Sequence, residues 1–226
     1  MFYYFDPTYL LYALPALIFG LWAQWRVTST FNRYARVPTS TGITGAQAAQ
    51  VLMQRTGRQF GVASTRGMLT DYYDPGRKTM FLSQSSVQNS VASVAVVAHE
   101  LGHAIQDAEG YAPMRLRGAI VPAVTASSWL GPALFIAGWI FSNPTLLWAG
   151  IIGFAAAVVF AIITLPVELN ASSRALHLLQ SNGILANQEL PGAQAVLSAA
   201  ALTYLAGIAQ TIMTLLYYLS LMGRRR

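Results

Sequence analysis

Apolar positions in this chain fall into four long stretches with almost no charge, and the polar positions crowd between them. Tyr9–Trp25, Gly118–Phe141, Leu146–Val167 and Ala195–Met222 run for 17, 24, 22 and 28 residues. About 20 apolar residues in a helix cross the hydrocarbon core of a bilayer, so the last three suffice as they stand. The first reaches that length if Tyr3, Tyr4 and Phe5 lie in the interface. Trp22, Trp25, Trp139, Trp148 and Tyr217 sit near stretch ends, where interfacial aromatics belong. No Lys or Arg precedes the first stretch, and Trp22-Ala-Gln-Trp25 is a poor small-residue cleavage site, so it reads as a retained anchor.

Residues 26–117 hold most of the polar sequence. Thr44 is a plausible N-cap for a helix running to about Arg55, with Gly57 beyond its end. Gln59–Ala63 and Met68–Tyr73 read as short strands, Asp74-Pro75-Gly76-Arg77 as a turn, and Lys78–Ser83 as the returning strand of a small antiparallel sheet. A helix is expected from about Val87 to Glu109; its apolar part, Val91–Ala98, is too short to span a bilayer. The organisation expected is an anchor (1–25), a polar insert (26–117) and three further spans (118–226).

Composition narrows the class. Of 226 residues, 54% are hydrophobic and 10% charged, against about 25% charged in soluble domains. With no Cys, thiolate metal sites and thiol catalysis are excluded, and any metal must be held by the three His or eight acidic residues. Ten of the fourteen Lys and Arg fall in 26–117, none in 1–25 and one, Arg174, in 168–194, which puts 26–117 and 168–194 on the cytoplasmic side. Arg224, Arg225 and Arg226 disagree, since four spans leave them outside. The net charge of +6 then reads as membrane-surface and topology charge, with no nucleic-acid partner.

One motif carries chemistry: His99-Glu100-Leu101-Gly102-His103. Histidines at i and i+4 lie about 40° apart around a helix, so both rings can reach one zinc ion, with Glu100 beside them to take a proton from water. A catalytic zinc wants a third protein ligand and an open position. No Asp follows Asp107, Glu109 faces another side of the helix, and Glu189 lies in a loop. Glu168 and His177 remain, about 900° of rotation apart, so only one can reach the metal. Glu168 is preferred: a carboxylate at the edge of the third stretch needs a compensating partner, and it shares the motif's side of the membrane. Pro166 should kink or restart the helix there. Asp107, Asn170 and Ser172 are candidates to orient the ligands by hydrogen bonds. Met80, Phe81 and Leu82, just before the motif helix, are the candidate edge strand for an extended peptide, and Tyr72 and Tyr73 are weaker candidates to donate to an oxyanion than to pack.

Leu69-Thr-Asp-Tyr-Tyr-Asp-Pro75, Thr79-Met-Phe-Leu-Ser83, Val97-Ala-His-Glu-Leu-Gly-His-Ala-Ile-Gln-Asp107 and Leu165-Pro-Val-Glu-Leu-Asn-Ala-Ser-Ser-Arg-Ala175 together resemble the YugP-like family of bacterial membrane zinc metallopeptidases over nearly the whole chain. The resemblance implies a gluzincin-like site with His99, His103 and Glu168 on one Zn²⁺ per chain and Glu100 as catalytic base. Glu168–Ala171 is also similar to the third-ligand segment of the HtpX and CAAX-prenyl-protease group, where an Asp follows; here it is Ser172. The fold expected is mixed α+β, mainly α: four transmembrane helices, a cytoplasmic zincin-like insert, and a third-ligand segment at 166–181. The function expected is a multi-pass, zinc-dependent endopeptidase of a bacterial cytoplasmic membrane, acting on peptides or membrane-protein substrates. The alternative is a non-catalytic metal-binding membrane scaffold or chaperone partner.

Overall fold

A computed structural model describes residues 7–223. Tyr3, Tyr4 and Phe5, and the outlying Arg224, Arg225 and Arg226, lie outside the described residues. The elements follow in the order α1 (Pro7–Tyr34), α2 (Gly45–Thr56), β1 (Gly61–Ser64), β2 (Tyr72–Asp74), β3 (Thr79–Leu82), α3 (Val91–Ala108), α4 (Ala112–Ile140), α5 (Pro144–Ser181) and α6 (Leu190–Gly223). The helices α1, α4, α5 and α6 are long and apolar enough to cross a membrane. Each outlasts its apolar stretch. Most notably, α5 runs on to Ser181 with Pro166 inside it, so the expected restart at that proline does not occur. A proline removes a single ladder bond, and the remaining ladder of this 38-residue helix carries the chain through.

The chain divides into two compact units. The described residues of the first are 7–24, 115–165 and 202–223. Here α4 and α5 approach at glycines: a Cβ on Gly150 would sit 2.7 Å from the Phe135 Cβ and 2.8 Å from the Gly131 carbonyl oxygen. Phe135, Phe154 and Tyr218 form an aromatic cluster, with Phe154 and Tyr218 stacked at 4.1 Å. Large apolar side chains such as Leu11, Trp129 and Phe141 point outward, more than 70% exposed. Contiguous apolar surface of this kind suits lipid rather than water.

The second unit comprises Trp25–Met114 and Pro166–Ala201. Its core is built around α3, where Val91, Val94, Val97, Ala98, Leu101 and Ala104 are buried. Around it pack Leu52 and Met53 of α2, Met80 and Leu82 of β3, Ala175 and Leu179 of α5, and Val196 and Leu197 of α6. The expected caps hold α2: Thr44 and Gln47 form a reciprocal capping box, and Gly57 closes the helix at φ +65°, a conformation that favours glycine. The motif helix starts later than expected, at Val91. Residues 84–87 form a separate 3-10 turn, and Ser90 caps the helix by accepting from the Ser93 amide at 3.2 Å.

The sheet corrects a second expectation. Its order is β1-β3-β2, with β3 antiparallel to β2 but parallel to β1. The turn after Asp74 makes β2 and β3 a hairpin as expected. The loop between β1 and β2 is long enough for β3 to slot between them, which forces the parallel pairing. Met80, Phe81 and Leu82 therefore belong to the central strand, hydrogen-bonded on both sides, with Met80 and Leu82 buried. A central strand has no free backbone groups to offer a peptide, so they cannot be the substrate's edge strand.

The helices α3 and α5 meet along matched faces. His99, Gly102, His103 and Gln106 recur at i, i+3, i+4 and i+7 on α3, as do Glu168, Ala171, Ser172 and Ala175 on α5. At this spacing each set forms one stripe. The crossing is tight at Gly102, where a Cβ would lie 2.6 Å from the Ala171 carbonyl oxygen. Gly102→Ala is expected to lower stability by about 1–3 kcal/mol through overpacking, despite alanine's advantage of roughly 1 kcal/mol inside a helix. Gly207→Ala, where nothing lies within 4 Å, should be neutral or stabilising. Thermal unfolding in detergent checks the contrast.

Candidate metal centre

The crossing brings three side chains to one point. His99 Nε2 lies 3.2 Å from Glu168 Oε2, and His103 Nε2 lies 3.3 Å from the same oxygen. Ligand atoms of His99, His103 and Glu168 all lie within 4.8 Å of one another, the one such group of three or more among the described residues. Glu168 is almost fully buried, at 2% exposure. Two donors bound tetrahedrally to zinc at about 2.0–2.1 Å stand roughly 3.3 Å apart; both His–Glu separations match.

Hydrogen bonding behind the rings gives a second test of fit. Gln106 is completely buried, and its Nε2 donates to the Val167 carbonyl and to Asn170 Oδ1, both at 2.9 Å. A carbonyl only accepts, so the amide's orientation is determined. Its Oε1 therefore faces His103 Nδ1, at 3.0 Å, and must accept a proton from it. A neutral His103 with its proton on Nδ1 turns a bare Nε2 lone pair towards the Glu168 carboxylate. Two lone pairs at that distance repel, an arrangement that a cation bound between them would relieve. On the other ring, Ser172 Oγ lies 3.1 Å from His99 Nδ1 and can accept its proton, leaving Nε2 for a metal. Two imidazoles, a carboxylate and no thiolate make a donor set that zinc accepts.

Glu100 is buried beside the histidines. Burial pushes its pKa above the usual carboxylate value; His99 and His103 oppose this, and Glu168 and Asp71 reinforce it. Burial alone would lower the His103 pKa, but the Glu168 carboxylate overrides it and raises it.

The other expected residues are distributed as follows. Ser172 contacts a ring directly, whereas Asn170 reaches His103 only through Gln106. Asp107 turns away: it accepts from the Tyr73 hydroxyl at 2.7 Å and from Lys78 Nζ at 2.6 Å, pinning β2 and the turn before β3 to α3. Burial and that carboxylate hold the Tyr73 phenol well above its ordinary pKa, so it remains a donor. Tyr72 stacks on Phe81 at 4.7 Å. Glu109 pairs with Arg58 and Arg174, so Arg174 does not neutralise Glu168. His177 lines a separate cavity. Gln106 is the residue that sequence reasoning missed. The available signal was a polar side chain three residues after His103, on the same helix face.

Residues 9–223 match the family model described as "Putative neutral zinc metallopeptidase". The chain is 42% identical over 207 residues to the "Putative membrane protease YugP" of Bacillus subtilis (strain 168), covering 91% of this chain and 92% of that protein. No solved structure matches.

Elemental analysis of purified protein should find one zinc per chain, lost in Glu168→Ala and retained in His177→Ala. Gln106→Leu, which keeps the volume but removes the acceptor on His103 Nδ1, should weaken zinc affinity about 10- to 100-fold in a chelator competition. Affinity unchanged by that substitution would exclude the orienting role.

Proposed function

The chain belongs to the family described as "Putative neutral zinc metallopeptidase", and from that premise we propose that it is a zinc-dependent endopeptidase of a bacterial cytoplasmic membrane. His99, His103 and Glu168 hold the zinc and Glu100 is the general base. The observation that carries this reading is the convergence of both Nε2 atoms on one buried carboxylate oxygen. A purely structural zinc is closed by four protein ligands, and three such groups stand together here, which supports an open position and a catalytic site.

Zinc, when bound, supplies the Lewis acidity that makes water nucleophilic near neutral pH. The chain's own residues do the rest. Glu100, beside both histidines, takes the proton from the attacking water and delivers it to the leaving amine nitrogen. Gln106 and Ser172 hold the two rings by their Nδ1 atoms, so that both Nε2 atoms keep their aim. The tight packing at Gly102 and Ala171 keeps Glu168 from drifting away from the rings.

Placement of the site on the cytoplasmic side rests on the Lys and Arg distribution: Arg26, Arg33, Arg36, Arg115, Arg117 and Arg174 lie on that side near the membrane, against Arg224, Arg225 and Arg226. Glu168 follows directly on the apolar stretch ending at Val167, about 1.5 Å further along the helix. A site at that level favours membrane proteins and juxtamembrane segments as substrates.

Purified protein in detergent is expected to cleave unfolded or membrane-protein substrates, and Glu100→Gln should retain zinc while losing at least about 100-fold in rate. Equal cleavage by the two proteins, or none by the wild type with zinc bound, would favour a non-catalytic metal-binding scaffold.

A further inference from the structure

A cavity of about 440 Å³ opens behind the metal-ligand face, lined among others by Arg58, Ile105, Glu109, Ser173, Arg174 and His177. Its charge is uneven. Two guanidiniums share one carboxylate: Arg58 Nη2 donates to Glu109 Oε1 at 3.1 Å, and Arg174 Nη1 donates to Glu109 Oε2 at 2.6 Å. Among the described residues that line it, one positive charge is left over. Among the described residues no hydrogen bond engages Arg58 Nε or Nη1 or Arg174 Nη2, and both side chains are only about a third exposed. Arg174 is further steadied by Asn170 Oδ1, which accepts from its Nε at 2.8 Å, and by the Tyr111 ring beneath it at 5.9 Å. Ser173 adds a hydroxyl, His177 a ring nitrogen, and Ile105 and Leu178 an apolar floor.

We propose that this cavity binds a phosphate ester. A tetrahedral oxyanion suits paired guanidiniums held in fixed orientation, and the volume exceeds what inorganic phosphate needs, leaving the apolar floor to a glycerol-like ester group. Arg174 lies seven residues beyond Val167 on the same continuous helix, about 10 Å along its axis. That level belongs to lipid headgroups when the apolar stretch spans the bilayer, so the ester comes either from an anionic lipid or from a soluble phosphomonoester. The cavity is also wired to the metal centre. Asn170 Oδ1 accepts from Arg174 and from Gln106, and Gln106 in turn holds His103. An ester fixed on Arg174 therefore fixes the amide that aims His103. This coupling rests on the zinc reading above, whereas the binding site does not.

The test uses the full chain in detergent. Calorimetry with glycerol 3-phosphate and with inorganic phosphate reads the soluble source. Native mass spectrometry after extraction from phosphatidylcholine nanodiscs, with and without phosphatidylglycerol, reads the lipid source. One ester per chain is expected in at least one arm, tighter than inorganic phosphate. Arg58→Gln and Arg174→Gln should each weaken it about tenfold or more, and Arg58→Lys should restore part of the loss. Among the described residues the Arg58 side chain pairs with Glu109 alone, at the surface, so its replacement leaves the core intact. No ester in either arm, or retention unaffected by both Gln variants, overturns the site. Zinc affinity by chelator competition should rise on the order of fivefold at saturating ester; no change overturns the coupling. A chain that takes up no zinc but binds the ester keeps the site and defeats the metal-centre reading instead.

Discussion

The structure depends on how closely α3 and α5 can approach. At Gly102 the contact leaves no room for a side chain: the Ala171 carbonyl oxygen occupies the space a Cβ would need. Small residues on both helices make this possible, with Gly102 on one and Ala171 and Ala175 on the other. Interior packing resists expansion, so the spacing holds, and the Glu168 carboxylate is kept at hydrogen-bonding distance from two imidazoles. With a wider crossing, the carboxylate and the two imidazoles would no longer share one point.

The same packing explains why the polar groups behind the rings are so completely used. Gln106 has no exposure to water, yet its oxygen and both its hydrogens are engaged, by His103, Val167 and Asn170. An unsatisfied amide there would be costly, so the network tolerates one arrangement, and that arrangement dictates which nitrogen of His103 carries a proton. A serine then serves the other ring. Ser172 occupies the position where the HtpX and CAAX-prenyl-protease pattern has an Asp, and its hydroxyl reaches His99 Nδ1. The chain thus orients its histidines with neutral groups.

Much of this was legible in the residues. The four apolar stretches became four long helices because periodicity and length are local properties. Thr44 and Gly57 bound α2 because caps act within one turn. The motif histidines share a face because of helix geometry alone, and the choice of Glu168 over His177 followed from the same arithmetic together with the cost of an unpaired carboxylate. The strands were harder. Their positions were approximately readable, but the order β1-β3-β2 depends on a loop crossing that no local pattern records. Asp107 illustrates the same limit. Its four-residue spacing from His103 suggested a ligand partner, yet Tyr73 and Lys78, 34 and 29 residues away, claim it.

What the amino-acid order determined by itself is what acts over a few residues: helix length, capping, apolar stretches, and the pairing of two imidazoles four positions apart. What only the tertiary structure decided is which distant groups meet. Glu168 joins His99 across 69 positions, Gln106 joins Asn170 across 64, and Arg58 joins Glu109 across 51. These meetings arise from the crossing of helices and the insertion of a strand, where burial of apolar faces brings together polar groups whose separation along the chain carries no trace of it.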